Sequence, residues 1–364
     1  MISIIKTHIP MFSMIIIMIN LSLFFSACMD QEEELVPPPA PASYKSYFTG
    51  DKADVITQPQ GGVCLMSGGK EDDEAMRWFL RRSGGGDVVV LRASGSDGYN
   101  DYMYKHLGIN VNSVESIVFQ NAEAARDSYV LKQIADAEAI WFAGGDQWNY
   151  IKYWRNTAVD SIINNHIINK KIVVGGLSAG MAILGNPYFS AELGSITSEE
   201  ALQNPLSDTV SVQNQAFLKI PYLQNIITDT HYANRQRQGR HIAFLAKAYT
   251  QLGISVKGIA CDEQSAICVD TDGKAYVYGA YPDKEHAAYF IQINCELADA
   301  TPEICTLGKP LHWMRDSSAL KVYEIKATPG GAAYFDLKDW KTGSGGVWKY
   351  WYVVNGEWKE REGG

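Results

Sequence analysis

Apolar runs alternate with segments of helical period along most of the chain after residue 60. Five of these runs show little alternation between apolar and polar residues, which is typical of strands buried on both faces; they are GGVCLMSGG, DVVVLRAS, SIVFQN, AIWFAGGDQ and KIVVGGL. The segment after the first run, EDDEAMRWFLRR, has acidic residues at its start and basic residues at its end, as helices do. This order predicts an α/β fold with a doubly wound, mostly parallel sheet flanked by helices, whose ligands bind beyond the carboxyl ends of the strands.

The pattern changes near residue 286. From there the runs YFIQINCEL, LKVYEIKA, GGAAYFDL and VWKYWYVVNGEW alternate and are rich in Trp and Tyr, which predicts strands. We expect residues 286–364 to form a β-rich extension packed on an α/β domain of residues 61–285. Core packing is the expected use of its aromatic side chains, and a substrate shelf or a partner surface is the alternative.

The first 27 residues have the layout of a secretory signal, with one Lys, a long apolar run and small residues at the end. Ser26 and Ala27 before Cys28 resemble a lipobox, so we expect Cys28 to be lipidated and to attach the protein to a membrane. A transmembrane helix is the alternative. Residues 28–60 are first acidic and then Pro-rich, which predicts an extended linker. We therefore expect a secreted lipoprotein of the cell envelope, in the outer membrane, with surface exposure as an option.

Composition excludes some partners. The chain has 32 Lys and Arg against 41 Asp and Glu, a net charge of -9, and no basic block, which argues against nucleic acid. No Cys has metal-ligand spacing with His, so we expect neither a metal nor another cofactor. Cys295 and Cys305 are candidates for a disulfide in an oxidising compartment, and a homodimer is left open.

The run KIVVGGL leads into GLSAG, Gly176–Gly180, where a buried strand gives way to a helical segment. This pattern matches the nucleophile elbow, in which flanking glycines allow a sharp turn that exposes the Ser178 hydroxyl. The amide of Ala179 would then stabilise an oxyanion formed on attack. Small residues at such a turn also occur for packing alone, so the pattern by itself is a weak signal.

A serine nucleophile needs a base, and His231 is the best placed histidine. It ends the strand-like run NIITDTH, whereas the other histidines lie in helical segments or have no chemical neighbours. Arg235, Arg237 and Arg240 follow it at a predicted helix start. Because positive charge opposes the helix dipole there, these residues suggest an anionic ligand.

Four motifs in this order resemble the serine peptidase family that contains cyanophycinase and aspartyl dipeptidase. They are FAGGDQ (Phe142–Gln147), GGLSAGMA (Gly175–Ala182), DTHYANRQRQGRH (Asp229–His241) and GIACDEQSA (Gly258–Ala266). The resemblance covers roughly Gly61–Tyr278 and implies a sheet like that of class I glutamine amidotransferases. One departure is Thr230, which stands where cyanophycinases usually have Gln and puts their β-aspartyl-arginine polymer in doubt as the substrate.

The resemblance also implies roles for single residues. Ser178 matches the nucleophile and His231 the general base. The remaining matches are Gly145 and Ala179 for the oxyanion hole, and Gln147, Asp229, Arg235, Arg237 and Arg240 for the substrate pocket.

The resemblance implies that the acid that orients His231 is an Asp or Glu somewhat after the nucleophile. The segment ILGNPYFSAELGSITSEEALQNP offers Glu200 as first choice, then Glu199 and then Glu192. The alternative is that these acids cap the helix that begins at ITSEEAL.

Together these features predict a serine peptidase that hydrolyses short peptides or isopeptides with an aspartyl residue on the acyl side. The alternatives are an esterase of the α/β-hydrolase type and a binding lipoprotein without catalysis.

Overall fold

A computed structural model describes residues 42–363 of the chain. The strands are β1 Tyr44–Gly50, β2 Val63–Met66, β3 Asp87–Arg92, β4 Ser113–Phe119, β5 Ala139–Phe142, β6 Val173–Leu177, β7 Tyr188–Phe189, β8 Val212–Gln213, β9 Ile226–Asp229, β10 Lys257–Cys261, β11 Ala266–Val269, β12 Lys274–Tyr278, β13 Ala287–Ile293, β14 Leu320–Lys326, β15 Tyr334–Asp336, β16 Gly343–Ser344, β17 Gly346–Val354 and β18 Glu357–Glu362.

The α-helices are α1 Asp73–Arg81, α2 Ser128–Asp136, α3 Gln147–Trp154, α4 Ala158–Asn165, α5 Ala179–Ala182, α6 Ser198–Gln203 and α7 Gln238–Leu252. Short 3-10 helices cover Ala122–Arg126 and Ala233–Arg235, and single π-helical turns cover Tyr102–His106 and His166–Lys170.

The larger of the two main sheets has ten strands in the order β1-β4-β3-β5-β6-β2-β11-β12-β15-β16. Its centre, β4-β3-β5-β6-β2, is parallel throughout. These five strands are the five apolar runs of the sequence. The edges are antiparallel, since β1 pairs with β4 and β11 pairs with β2.

Alternate residues of the central strands pack into different cores. In β3, Val88 and Val90 join a cluster that contains the inner face of α1. Val89 and Leu91 join a cluster on the other face, built with α2, α3 and α4. A strand buried on both faces cannot alternate apolar with polar residues, which explains the continuous apolar runs. The predicted doubly wound α/β sheet is confirmed.

The second sheet has six strands in the order β18-β17-β14-β13-β10-β9. Strands β9 and β10 are parallel, and four strands from the C-terminal part of the chain extend them in antiparallel fashion. Strands β15 and β16 join the ten-stranded sheet instead. Trp340 and Trp351 are at most 4% exposed, so large aromatic side chains of this region lie in the core. The described residues form one compact unit.

The expected signal peptide and the lipidation site Cys28 lie outside the described residues. From residue 42 to residue 363, no helix combines the length and the apolar character needed to cross a membrane. Cys295 and Cys305 are both free thiols, so the disulfide considered for them is not formed in this structure.

Candidate active site

Ser178 lies on the turn between β6 and α5, at the carboxyl end of a central strand. Its φ of 53° and ψ of -113° place it in a region that non-glycine residues rarely occupy. Such a conformation costs on the order of 1–3 kcal/mol and persists only where the surroundings enforce it. The backbone N–H of Ser178 donates to the carbonyl of Met66 over 2.9 Å, which helps to hold the turn.

The two glycines of the elbow are required by backbone contacts. A Cβ on Gly176 would lie 2.5 Å from the carbonyl carbon of Gly180, and a Cβ on Gly180 would lie 2.0 Å from the carbonyl oxygen of Phe142. Neither contact is compatible with a side chain. Packing therefore explains the small residues, and the same turn presents the Ser178 hydroxyl.

His231 stands two residues after β9, with a positive φ of 50°. Its Nε2 is 2.7 Å from Ser178 Oγ. The serine follows a strand of the ten-stranded sheet and the histidine follows a strand of the six-stranded sheet, so each main sheet supplies one member of the pair. The structure brings together the two residues that the sequence singled out.

Glu263 is the carboxylate that contacts His231. Its Oε1 is 2.5 Å from His231 Nδ1, at the nitrogen opposite the one that faces Ser178. Strand β10 runs parallel to β9 with Ala260 opposite Asp229, so the residues after both strands emerge at the same edge. The signal in the sequence was the pair of acids that directly follows the apolar run GIAC, but only the pairing of β9 with β10 connects it to the histidine.

The assignment of Glu200 as the orienting acid is corrected by this geometry. Glu200 is exposed and forms a capping box at the start of α6, where its Oε2 accepts from the backbone N–H of Thr197 over 2.9 Å. The second choice, Glu199, is an exposed residue of the same first turn. The third choice, Glu192, accepts instead from the Gln213 amide over 2.9 Å. Helix capping, which was the alternative explanation, accounts for Glu200.

Asp229 and Arg240 form a buried ion pair. The Arg240 guanidinium donates from Nε and Nη2 to the two carboxylate oxygens over 2.8 and 2.5 Å, and both side chains are at most 4% exposed. Burial alone would raise the pKa of Asp229, but Arg240, with Arg237 nearby, lowers it to about 2. Two of the residues expected to bind substrate are therefore engaged with each other inside the protein.

The other two arginines differ in their exposure to solvent and in their hydrogen bonds within the protein. Arg237 donates from Nη1 to the carbonyl of Thr230 over 2.9 Å and to its Oγ1 over 3.1 Å. Arg235 is exposed and lines the cleft beside Ser178. Arg235 is thus the guanidinium best placed to meet an anion that enters the cleft.

The cleft over Ser178 has a volume of about 300 Å³. It is lined by Gly145, Asp146, Gln147, Ser178, Ala179, Ala191, Gly194, Ser195, Thr230, His231, Arg235 and Arg237. Gln147 donates its side-chain amide to the carbonyl of Phe189 over 2.8 Å. Within residues 42–363, the backbone N–H groups of Gly145 and Ala179 donate to no other group, so both are available to an oxyanion.

A larger cavity, of about 740 Å³, is lined by apolar residues such as Ile167, Ile172 and Ile220. It contains neither Ser178 nor His231. The candidate site is therefore located by the Ser178–His231 pair and not by the size of the cavity. In the part of the chain that the structure describes, no three His, Cys, Asp or Glu side chains are grouped to hold a metal ion.

The surroundings of His231 favour its neutral form. Burial is the main reason that its pKa lies below the ordinary value, and the charges of Arg235 and Arg237 lower it further. The hydrogen bond with Glu263 acts in the opposite direction without reversing the shift. A neutral imidazole with Nδ1 bonded to a carboxylate leaves Nε2 as an acceptor for the Ser178 proton.

The sequence profile of peptidase family S51 matches residues 65–277, which is more than half of the chain. The chain belongs to peptidase family S51. This membership confirms the resemblance carried by the four motifs.

Individual relatives are distant. The cyanophycinase of Synechococcus elongatus is 25% identical over 227 residues, which cover 60% of this chain and 66% of that protein. The cyanophycinase of Trichormus variabilis is 23% identical over 226 residues, 59% of this chain and 70% of that protein. The crystal structure of a peptidase from an acI-B1 Actinobacterium is 15% identical, covers 61% of this chain and 89% of that chain, and has a TM-score of 0.42. The chain spans slightly less than two thirds of the length of the Synechococcus relative.

The environment of His231 yields a direct prediction. We expect its imidazole to titrate below about 6.5, the ordinary pKa of histidine, because burial and two arginines disfavour the charged form. Arg235→Ala removes a positive charge and should raise this pKa, as followed by NMR of histidine-labelled protein. Arg126→Ala, an exposed arginine paired with Glu123, is the control and should leave the pKa unchanged. A pKa above 6.5 in the unsubstituted protein would contradict the prediction.

Proposed function

We propose that this protein is a serine peptidase that hydrolyses short peptides or isopeptides with an aspartyl residue on the acyl side, through a Ser178–His231–Glu263 triad. The observation that carries the proposal is the continuous chain of contacts from Ser178 Oγ to His231 Nε2, at 2.7 Å, and from His231 Nδ1 to Glu263 Oε1, at 2.5 Å. This is the geometry of a nucleophile, a base and an orienting acid.

Acylation follows from the positions of these atoms. His231 Nε2 accepts the Ser178 proton while Oγ forms a bond to the carbonyl carbon of the scissile amide. The N–H groups of Gly145 and Ala179 stabilise the negative oxygen of the tetrahedral intermediate. His231 then gives the proton to the leaving amine, the C–N bond breaks, and an acyl-enzyme remains on Ser178. Glu263 stabilises the charged imidazolium during both transfers.

Deacylation repeats these steps with water as the nucleophile. His231 takes a proton from water, the resulting oxygen attacks the ester carbonyl, and the Ser178 oxygen leaves with that proton. The constrained backbone of Ser178 keeps the base of its side chain at one place in the cleft, so little backbone reorganisation is needed between the two halves of the reaction.

The preference for an aspartyl residue rests on charge. Arg235 is exposed in the cleft, and a guanidinium binds a carboxylate through two parallel hydrogen bonds. Both relatives are named cyanophycinase, and the resemblance to that family implies an aspartyl substrate. In this chain Thr230 stands where cyanophycinases usually have Gln, and its Oγ1 accepts from Arg237. A cleft of about 300 Å³ suits a short substrate better than a long polymer.

A panel of α- and β-linked aspartyl dipeptides tests the proposed activity. Turnover is expected for aspartyl substrates and should fall by a factor on the order of 10⁶ in Ser178→Ala. Arg235→Ala should lower kcat/KM for aspartyl substrates about 10- to 100-fold, because a hydrogen bond to a charged group is lost. The matched asparaginyl peptides are the control and should lose much less. Equal losses on both series would exclude Arg235 as the carboxylate-binding group, and no turnover of any peptide would refute the proposed activity.

The choice of acid is tested by two matched substitutions. Glu263→Gln keeps the shape of the side chain but favours the wrong histidine tautomer, so kcat should fall by about 10⁴. Glu200→Gln affects only a helix cap outside the cleft and should leave kcat within about twofold. Initial rates on the best peptide decide between them. A large loss in Glu200→Gln with little change in Glu263→Gln would reverse the assignment.

We propose separately that the protein is exported and anchored through a lipidated Cys28. The support is the order of a Lys, an apolar run and the small residues Ser26 and Ala27 ahead of that cysteine. Labelling with a fatty-acid analogue in a bacterial host should mark the unsubstituted protein and Cys295→Ser but not Cys28→Ser. Incorporation that persists in Cys28→Ser, or that is absent from all three, would refute the anchor.

A further inference from the structure

Ser67 lies at the carboxyl end of β2. Its side chain contacts the ends of β9 and β10 in the six-stranded sheet. Its Oγ accepts a hydrogen bond from the backbone N–H of His231 over 2.6 Å and donates one to the carbonyl of Cys261 over 2.6 Å. The side chain is fully buried. Because Cys261 ends β10 and His231 follows β9, one hydroxyl fastens the ends of two neighbouring strands to the sheet that carries Ser178.

The residues after Ser67 extend this contact to the rest of the triad. A Cβ on Gly68 would lie 2.3 Å from His231 Cε1, so the backbone of Gly68 packs directly against the imidazole ring. The Gly68 carbonyl accepts from the backbone N–H of Gln264 over 2.8 Å, next to Glu263. Gly69 approaches the same glutamate, since its Cβ would lie 3.3 Å from Glu263 Cβ. The segment Ser67–Gly69 therefore contacts the base and the acid together.

We propose that Ser67 is a positioning residue of the proposed peptidase, whose hydroxyl fixes the backbone of His231 so that Nε2 faces Ser178 while Nδ1 faces Glu263. His231 has a positive φ, which a non-glycine residue keeps only under constraint. Within the described chain, the backbone N–H of His231 donates its hydrogen bond to the Ser67 hydroxyl. Without this bond, rotation of the backbone at His231 moves both ring nitrogens away from their partners.

The proposal rests on the proposed function for its consequence in catalysis but not for its geometry. Its test uses a fluorophosphonate, which needs no knowledge of the natural substrate. Ser178 Oγ forms a bond to phosphorus, fluoride leaves, and His231 takes the hydroxyl proton. The rate of this reaction reports how well the base is aligned with the nucleophile.

We expect Ser67→Ala to lower the second-order rate of Ser178 phosphonylation by about 10- to 100-fold, because a displacement of about 1 Å has effects of this size. Gly68→Ala should lower it as well, since the added methyl group occupies the place of the imidazole. Ser83→Ala removes an equally buried hydroxyl outside the site, and Gly108→Ala adds a methyl group at a positive φ in open space. Both controls should react at the unsubstituted rate.

A second readout separates positioning from loss of stability. NMR of histidine-labelled protein follows the proton between His231 Nδ1 and Glu263 together with the His231 titration. In folded Ser67→Ala, we expect the signal of this proton to move upfield or vanish and the pKa of His231 to fall further, because the Glu263 contact is weakened.

The two readouts also keep the two proposals distinct. An unchanged proton signal and an unchanged His231 titration in folded Ser67→Ala would overturn the positioning role, whatever the phosphonylation rate. If the unsubstituted protein does not react with fluorophosphonate at all, the proposed peptidase function fails, and the NMR comparison still decides the role of Ser67.

Discussion

The hydrogen bond between Ser178 and His231 is the contact on which the candidate site depends, and it crosses from one sheet to the other. Strand β6 ends at the serine in the ten-stranded sheet, and β9 leads to the histidine in the six-stranded sheet. The distance of 2.7 Å therefore reports how the two sheets dock. The glycines of the elbow support the Ser178 side of this contact, because Gly176 lies against Gly180 and Gly180 lies against the carbonyl of Phe142, where any side chain would clash.

Local signals in the sequence were sufficient for the fold and for two members of the proposed triad. Apolar runs without alternation marked the central strands, since burial on both faces leaves no place for polar residues. Ser178 was found because it directly follows such a run, and His231 because it ends the strand-like run NIITDTH. Glu263 also follows an apolar run, but the sequence does not connect it to His231. The pairing of β9 with β10 that brings them together is a tertiary contact that no local pattern encodes. Glu200 resembled a candidate because the same negative charge also favours the first turn of a helix.

The arginines show a second limit of sequence reasoning. Arg235, Arg237 and Arg240 stand within six positions of each other and are chemically identical, yet burial gives them different surroundings. Arg240 closes on Asp229 in the interior, Arg237 is held by Thr230, and Arg235 reaches solvent in the cleft. The charge pattern predicted an anion, and only the packing separates the arginines bonded inside the protein from the one that faces solvent.

The match to the peptidase family stops at residue 277, inside β12 and before β13, which pairs with β10. Strand β13 pairs with β10, and Tyr232, the neighbour of His231, packs against Tyr289 and Trp351 with ring centroids 5.0 and 6.3 Å apart. In this protein the matched segment thus packs against strands that lie outside the match. Loss of the last quarter of the chain would remove the aromatic side chains that pack beside a histidine far upstream, so damage near one end of the sequence would reach a site built near its middle.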